Sequence, residues 1–343
     1  MWVIILLKKA AVITLLLLFL CNPAYAYSKP DISAESAVSI DSYTDKILFE
    51  KDIFKRMPMA STTKIMTALL ACESGNLNRI ITVNDKMLYG TEGTLIYIKS
   101  GDRITLFDLI KGALLSSGND AANAIAFSVS GSLEAFVQLM NKKAQSLGMS
   151  NTHFATPSGL DGKGHYSCAY DMALLASYAM KNSIFKIIVK TKSDTIVINN
   201  KKHIIYNHNK LLGRSASFIG VKTGYTSKAG RCLVSAYEYR GALIITVTLN
   251  APDDWDDHLA LVNYSKRLYN NNSDSKEIYI NSVYDDNMIK CRYEYSVYSV
   301  SGVYVKLSYY PIIYLPYNKG DKIGTARVYT NGVLIKESDI VIA

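Results

Sequence analysis

The sequence has 343 residues, enough for two compact domains, and about half of them are hydrophobic, which excludes an intrinsically disordered chain. The formal net charge of +9 suits an anionic wall or membrane surface, or serves solubility alone, and no dense basic stripe indicates a nucleic-acid partner. Five cysteines without CxxC spacing and five histidines without an HExxH cluster predict neither a disulfide framework nor a metal site, and no cofactor is expected.

The N-terminal 26 residues have the pattern of a targeting segment. Lys8 and Lys9 precede an apolar run over residues 10–20, and small residues follow at Ala24 and Ala26. This order predicts a secretory signal over residues 1–26, and therefore an exported, extracytoplasmic protein. The apolar residues 1–7 are atypical of such a signal, so an uncleaved anchor remains an alternative.

The first structural element after this segment is a predicted β-hairpin over residues 36–50 that turns near Thr44 and Asp45. Helical periodicity begins at Ser61. A later helix is predicted to start at Ser132 as its N-cap and to stop at Gly148.

Further along the chain, a helix is predicted over residues 171–181 and a strand over residues 190–197. Strands over 232–237 and 243–249 form a second predicted hairpin, and a final amphipathic helix covers about 256–268. Strands at both ends with helices between them predict an α+β fold, in which an antiparallel sheet packs on a helical cluster.

The composition changes at residues 270–275, Asn-Asn-Asn-Ser-Asp-Ser, which predicts a linker. Beyond it the chain alternates with period two and carries a type I′ turn signal at Asn331-Gly332, so residues 276–343 are predicted to be a small all-β sandwich. The domain prediction is therefore a signal over 1–26, a larger domain over 27–269 and a β domain over 276–343.

Three short motifs carry the chemistry that the sequence suggests. They are Ser61-Thr62-Thr63-Lys64, Ser117-Gly118-Asn119 and Lys222-Thr223-Gly224, in that order. Each alone occurs often by chance, and the second alone is more typical of a helix cap. The three in this order form the pattern of penicillin-binding proteins and β-lactamases, although glycine here replaces the aspartate of the middle motif.

The spacing of the first motif suits nucleophilic catalysis. If a helix begins at Ser61, Lys64 lies on the same face about one turn later. A serine hydroxyl needs an adjacent base, and an amine serves as one when burial and a second cation such as Lys222 lower its pKa. Free backbone N–H groups at the helix start are suited to hold an oxyanion.

The other two motifs are suited to bind a peptide. Ser117 and Asn119 are predicted on a loop, within reach of Lys64 and a bound substrate. Lys222 and Thr223 precede a strand and can bind a terminal carboxylate, while a glycine at 224 lets a substrate backbone approach closely.

With its surrounding residues, the chain resembles the low-molecular-mass penicillin-binding proteins of the D-alanyl-D-alanine carboxypeptidase (S11 peptidase) family. The likeness covers roughly residues 30–268. It is carried by residues 57–67, 116–122 and 220–226 around the motifs, and by Asn151–Phe154 followed by Gly159–Asp161. It implies a fold like that of β-lactamases and transpeptidases, followed by a second, β-rich domain.

The resemblance also implies a role for each motif residue. Ser61 attacks the carbonyl of the penultimate D-alanine of a peptidoglycan stem, Lys64 accepts its proton and Ser117 relays a proton to the leaving D-alanine. Asn119 orders Lys64 and the peptide. The remaining substrate-binding residues are Lys222, Thr223, Gly224 and Tyr225, and the backbone N–H groups of Ser61 and Tyr225 form the oxyanion hole. β-Lactams are expected to acylate the same serine.

The chain departs from its better-known relatives in two places. The arginine that some relatives carry after the strand following the third motif is missing from Asn250–Trp255. This predicts that carboxylate recognition is weaker or relies on Lys222 and Thr223 alone. Residues 340–343 are predicted to be a strand rather than an amphipathic membrane helix, so peripheral attachment to the membrane or wall stays open.

Three rival functions remain. A class A β-lactamase needs a glutamate to activate the deacylating water, and none occurs between Glu134 and Glu238. A transpeptidase or endopeptidase shares all three motifs and differs only in acyl acceptor or leaving group. A non-catalytic scaffold is disfavoured because the motifs are intact. His153 and His165 are interpreted as structural residues.

Overall fold

The computed structural model describes residues 28–283, 288–314 and 316–343. The predicted signal over residues 1–26 lies outside them. The chain divides into a unit over Met1–Asp31, of which the described part contains no helix or strand, and a unit over Ile32–Ala343.

The helices and strands of this unit are numbered here in chain order. The strands are β1 (Ser36–Asp41), β2 (Ile47–Lys51), β3 (Ile80–Thr82), β4 (Arg103–Thr105), β5 (Ser193–Ile198), β6 (Lys201–Tyr206), β7 (Phe218–Thr226), β8 (Gly230–Tyr239), β9 (Ala242–Leu249), β10 (Asn270–Ser282), β11 (Met288–Ser299), β12 (Val303–Tyr309), β13 (Ile312–Ile313), β14 (Lys322–Thr330) and β15 (Val333–Ile342). The helices are α1 (Lys64–Glu73), α2 (Asp85–Leu88), α3 (Leu106–Leu114), α4 (Asn119–Ser130), α5 (Leu133–Ser146), α6 (Ala169–Ala179), α7 (Ser183–Lys190), α8 (Leu211–Arg214) and α9 (Asp254–Lys266), with a 3₁₀ turn over Ala60–Thr63.

A five-stranded antiparallel sheet forms one layer of the larger domain, in the order β2-β1-β9-β8-β7. Both predicted hairpins are confirmed: β1 and β2 turn through Asp45, and β8 and β9 turn through Arg240 and Gly241, all with positive φ. Strand β7 lies at one edge of this sheet, so one side of its backbone is free of a neighbouring strand within it.

The helical cluster forms the second layer, and α1 lies at its centre. The side chains of Ile65, Met66 and Leu69 are completely buried, because the helix is apolar on nearly every side. The predicted limits of α5 are confirmed: the Ser132 hydroxyl accepts a hydrogen bond from the backbone N–H of Ala135, and Gly148 has a φ of 75°. Together these elements confirm the predicted α+β architecture.

The strand predicted over residues 190–197 begins later than expected. Lys190 ends helix α7, and β5 starts only at Ser193. The apolar residues before it have helical rather than alternating spacing, since Phe185, Ile188 and Val189 are all buried on one side of α7. Asn182 caps that helix through two backbone N–H groups.

The C-terminal region is all-β, as predicted. Its six strands are hydrogen-bonded in one curled sheet, in the order β12-β14-β15-β11-β10-β13, around a small apolar core that includes Ile280, Cys291 and Ile340. Asn331 and Gly332, with φ values of 46° and 82°, form the predicted turn between β14 and β15.

The residues predicted to be a linker, 270–275, are instead the first half of β10. They pair in register with β11, from Asn270 opposite Ser299 to Ser275 opposite Glu294. Their polar side chains are mostly exposed, and backbone pairing needs no apolar residues where both faces meet solvent. Composition alone therefore indicated a break in structure where the chain forms a strand.

Candidate active site

The three motifs converge on one cleft between the sheet and the helical cluster. Ser61 lies in the 3₁₀ turn before α1, Ser117 lies between α3 and α4, and Lys222-Thr223-Gly224 lies on the edge strand β7. The cleft has a volume of 340 Å³. It is lined by Ser61, Thr94, Ser117, His208, Lys210, Thr223, Gly224, Tyr225, Arg231, Asp254 and Trp255.

The amine of Lys64 lies directly beneath this cleft and faces the serine. Its Nζ is 2.8 Å from Ser61 Oγ, 2.6 Å from Asn119 Oδ1 and 2.6 Å from the carbonyl oxygen of Ser158. Two of these neighbours are carbonyl oxygens, which can only accept hydrogen bonds. A neutral amine gives them its two N–H groups, and its lone pair is then left for the Ser61 hydroxyl proton. This is the arrangement that a serine nucleophile and an amine base require.

Burial keeps both motif lysines from holding a proton as tightly as a solvated amine does. The Lys64 side chain is completely buried, and this burial, with a smaller contribution from the nearby Lys222 cation, lowers its pKa well below 10.5. Burial also lowers the pKa of Lys222 to about 7. The predicted mechanism for activating Lys64 therefore matches the arrangement of these side chains.

Ser117 contacts the second lysine rather than the first. Lys222 Nζ donates to Ser117 Oγ at 3.0 Å and to the carbonyl oxygen of Thr223 at 2.8 Å. The predicted contact between the second motif and Lys64 is made by Asn119. Ser117 has a φ of 61°, a conformation that costs a non-glycine residue energy and that is found preferentially at functional sites.

Asn119 is anchored on both sides of its amide. While its Oδ1 accepts from Lys64, its Nδ2 donates to the carbonyl oxygen of Glu92 at 2.6 Å. The preceding glycine is required by space, because a Cβ at Gly118 would lie 2.9 Å from Asp120 Oδ1 and 3.0 Å from the Ile96 side chain. An aspartate in the middle motif would clash here.

Gly224 allows β7 to press against the turn that carries the nucleophile. A Cβ at this position would lie 3.0 Å from the backbone nitrogen of Ser61 and 3.1 Å from that of Thr62. The sequence predicted that Gly224 lets a substrate backbone approach closely; in the structure the close approach is one between two backbone segments of the protein. It brings the backbone of Ser61 beside Gly224, the residue that precedes Tyr225 on β7. The backbone N–H groups of Ser61 and Tyr225 are those that the sequence predicts for the oxyanion hole.

The interpretation of His153 and His165 as structural residues agrees with their contacts. His165 Nδ1 accepts from the backbone N–H of Ala155, so its Nε2 carries the proton and donates to Thr63 Oγ1 at 2.9 Å. Burial lowers the pKa of His165 to about 4. His153 donates through Nδ1 to the carbonyl oxygen of Gly164 at 2.7 Å. Both rings hold loops in place.

A family model described as D-alanyl-D-alanine carboxypeptidase, Peptidase S11, matches residues 24–253. The chain belongs to the S11 peptidase family. It is 39% identical over 224 residues to the D-alanyl-D-alanine carboxypeptidase DacF of Bacillus subtilis (strain 168), a match that covers 64% of this chain and 57% of that protein. It is 34% identical to the D-alanyl-D-alanine carboxypeptidase of Streptomyces sp. (strain K15), over 72% of this chain and 92% of the relative.

Solved structures of the family share the fold. The Streptomyces K15 DD-transpeptidase superimposes with a TM-score of 0.66 at 32% identity, covering 69% of this chain and 98% of that one. An evolved penicillin-binding protein homologue from Mycobacterium tuberculosis gives a TM-score of 0.68 at 32% identity, over 72% and 96% of the two chains. The predicted resemblance and fold are thereby confirmed: the chain belongs to the S11 family and has the fold of its solved members.

One S11 cleft residue that the sequence did not single out is Arg231. It pairs with Tyr225 across the β7–β8 hairpin and lines the cleft. Its Nε and Nη2 donate to Asp254 Oδ1 at 3.0 and 2.7 Å, and its guanidinium lies 5.6 Å from the centre of the Trp255 ring. Arg231 could have been found from the sequence. The short turn after β7 sets the register of the hairpin, and that register places Arg231 opposite Tyr225.

The arginine expected after the third motif is indeed missing from Asn250–Trp255, yet the cleft contains a guanidinium that another strand supplies. Asp254 is the acidic residue of the cleft lining, and its carboxylate is paired with Arg231. It is therefore engaged in holding Arg231 rather than positioned as a free base.

Within the described residues, no single helix is long and apolar enough to cross a membrane. Helices α6 and α7 reach that length and composition only as a pair, and they are bent by 108° at their junction.

Proposed function

We propose that this protein is a serine-type D-alanyl-D-alanine carboxypeptidase that removes the terminal D-alanine from pentapeptide stems of peptidoglycan. The observation that carries the proposal is the completely buried amine of Lys64, whose pKa burial lowers and whose Nζ lies 2.8 Å from Ser61 Oγ. Family membership supports the same reaction.

The reaction follows from the residues around this pair. Lys64 takes the hydroxyl proton as Ser61 Oγ bonds to the carbonyl carbon of the penultimate D-alanine. The backbone N–H groups of Ser61 and Tyr225 hold the oxyanion. The C–N bond then breaks as Ser117, hydrogen-bonded to Lys222, passes its hydroxyl proton to the departing D-alanine. The proton that Lys64 took from Ser61 is returned to Ser117, so Lys64 is neutral again. Water afterwards cleaves the acyl-enzyme, with Lys64 again as the base.

Substrate binding is assigned to the cationic side of the cleft. Lys222, Thr223 and the guanidinium of Arg231 bind the terminal carboxylate. Asn119 orders Lys64 and the incoming peptide, and Gly224 lets β7 lie beside the nucleophile. β-Lactams carry a carboxylate and a reactive carbonyl in a similar arrangement, so we expect them to acylate Ser61 and to leave slowly.

The substrate lies outside the cytoplasmic membrane, so the proposal includes export and action at the cell wall or on the outer face of that membrane. Residues 1–26 supply the expected signal. Residues 27–269 are proposed as the peptidase domain, and residues 276–343 as a β domain that places it at the wall or membrane surface.

The test is release of D-alanine from a Lys-D-Ala-D-Ala peptide by the purified protein, with Ser61→Ala as the control. Release that is lost in the variant supports both the reaction and the nucleophile. Rapid steady-state hydrolysis of nitrocefin would favour a β-lactamase instead. Neither release nor labelling of Ser61 by penicillin would leave a non-catalytic scaffold.

A second candidate is transpeptidation, since the similar Streptomyces K15 protein is named a carboxypeptidase in one comparison and a DD-transpeptidase in the other. The two reactions share the acyl-enzyme and differ in the acceptor. Adding an amino acceptor to the same assay separates them: a carboxypeptidase yields free tetrapeptide, whereas a transpeptidase yields the acceptor-linked product. Cross-linked muropeptide dimers test the endopeptidase alternative.

A further inference from the structure

A second concavity, here called the basic pocket, lies next to the turn that follows β7. Its volume is 490 Å³. The side chains that give it its chemical character are Arg56, Asp161, Lys163, His165, Tyr166 and Lys228. None of them belongs to the three motifs.

The charges in this pocket are predominantly positive and incompletely neutralised. Within the described part of the chain, neither Lys163 nor Lys228 has an acidic partner within 4.0 Å. The pocket's carboxylate, Asp161, accepts a hydrogen bond from the Thr226 hydroxyl at 3.2 Å. Buried His165 has a pKa of about 4 and is neutral at pH 7. A concave surface with unpaired cations favours an anionic ligand.

The pocket lies where a bound donor peptide must continue. The terminal carboxylate lies at Lys222 and the scissile carbonyl at Tyr225, so the peptide runs along the edge strand toward its C-terminal end. That end is Thr226, which is bonded to Asp161 at the pocket, and Lys228 follows in the turn. From Tyr225 to Lys228 an extended chain covers at most about 10 Å. In an extended substrate, a residue two or three positions before the penultimate D-alanine lies at about the same distance from that D-alanine.

We propose that the basic pocket binds a carboxylate of the donor stem peptide, carried two or three residues before the penultimate D-alanine. The inference rests on the proposed carboxypeptidase function, which fixes the direction of the peptide. Lys163 and Lys228 supply the cations, and Arg56, whose guanidinium lies 5.1 Å from the centre of the Tyr166 ring, supplies a third. The enzyme thereby distinguishes an acidic stem from one whose carboxylate has been amidated.

The test uses two peptides that end in D-Ala-D-Ala and differ in one group. In one, the γ-linked D-glutamate upstream of lysine has a free carboxylate, and in the other this group is a carboxamide. D-Alanine release gives kcat/KM for each peptide. Lys163 and Lys228 each supply one partly exposed charge contact to the carboxylate. We therefore expect kcat/KM of the wild type to be about threefold to tenfold higher for the acidic peptide. The preference falls as salt is added, because ions screen it.

The double variant Lys163→Gln/Lys228→Gln is expected to bring the ratio of the two kcat/KM values close to one. The matched control is Lys201→Gln/Lys202→Gln, which removes the same charge from exposed lysines on β6 and is expected to keep the wild-type ratio. Comparison of the two separates a local contact from the effect of net charge.

Each outcome decides between the proposals. A wild-type ratio near one, or an equal fall of the ratio in both double variants, overturns the assignment of the pocket while leaving the carboxypeptidase in place. No release from either peptide, by protein whose Ser61 is still labelled by penicillin, overturns the carboxypeptidase function and the pocket assignment with it.

Discussion

Asn119→Ala tests the claim that the Lys64 amine is oriented by two carbonyl acceptors. Asn119 Oδ1 is 2.6 Å from Lys64 Nζ, and its Nδ2 is 2.6 Å from the Glu92 carbonyl oxygen. Alanine removes one of the two acceptors, so one N–H of a completely buried amine loses its partner. The amine is then free to turn that N–H toward the serine oxygen, which moves its lone pair away from the proton it must take.

The size of the effect follows from the cost of an unpaired buried donor, about 1–3 kcal/mol. If this cost is met by rotation of the amine, acylation slows by about 5-fold to 150-fold. Asn119→Asp is the informative companion. It keeps an acceptor of the same size but places an anion beside Lys64, which raises the pKa of the amine. The acid limb of the rate profile then moves to higher pH, and activity recovers in part as pH is raised.

The assay is the rate at which a labelled penicillin acylates Ser61, followed by mass spectrometry on protein whose folding has been checked by thermal melting. The reasoning is wrong if Asn119→Ala acylates within twofold of the wild type. It is also wrong if Asn119→Asp has the wild-type pH dependence, because an anion in contact with the base cannot leave its protonation unchanged.

Three further changes test other parts of the site. Burial lowers the pKa of Lys222 from 10.5 to about 7, so between these pH values the unfolded chain binds more protons than the folded one. The free energy of unfolding, measured by urea titration, should therefore rise with pH in this range, and it should rise by less in Lys222→Met. Gly224→Ala places a Cβ 3.0 Å from the Ser61 nitrogen, so penicillin acylation should fall at least about tenfold; wild-type rates would contradict the close packing. Arg231→Gln removes a cation from the cleft and leaves Asp254 without its partner. KM for the peptide should therefore rise about threefold to thirtyfold with little change in kcat. An unchanged KM would show that Arg231 does not bind the substrate.

The contact between Ser61 and Lys64 was predictable because it depends on local spacing. Lys64 follows Ser61 by three positions, and in a helical turn this spacing places both side chains on one face. The register of the β7–β8 hairpin has the same local origin, and with it the location of Arg231 opposite Tyr225 could have been counted from the sequence.

The parts that the sequence did not predict depend on distant contacts. The carbonyl oxygen of Ser158, which holds Lys64 at 2.6 Å, comes from a loop 94 residues away and has no side-chain signal. Ser117 pairs with Lys222 rather than Lys64, which only the packing of two separate elements decides. The strand over 270–275 was predicted to be a linker because its pairing with β11 is made by backbone groups that composition does not report.

The two buried lysines are best understood as one unit in which position decides which amine keeps a proton. Lys222 is hydrogen-bonded to Ser117 and to the Thr223 carbonyl, beside the part of the cleft where we propose that a carboxylate binds, whereas Lys64 is enclosed by Ser61, Asn119 and the Ser158 carbonyl. A carboxylate stabilises the ammonium form of Lys222, and that cation in turn disfavours a proton on Lys64. Substrate binding therefore favours the protonation state that catalysis requires: a cation at the carboxylate end and a neutral base at the nucleophile. A ligand without a terminal carboxylate would lose both the binding contact and this effect on the base.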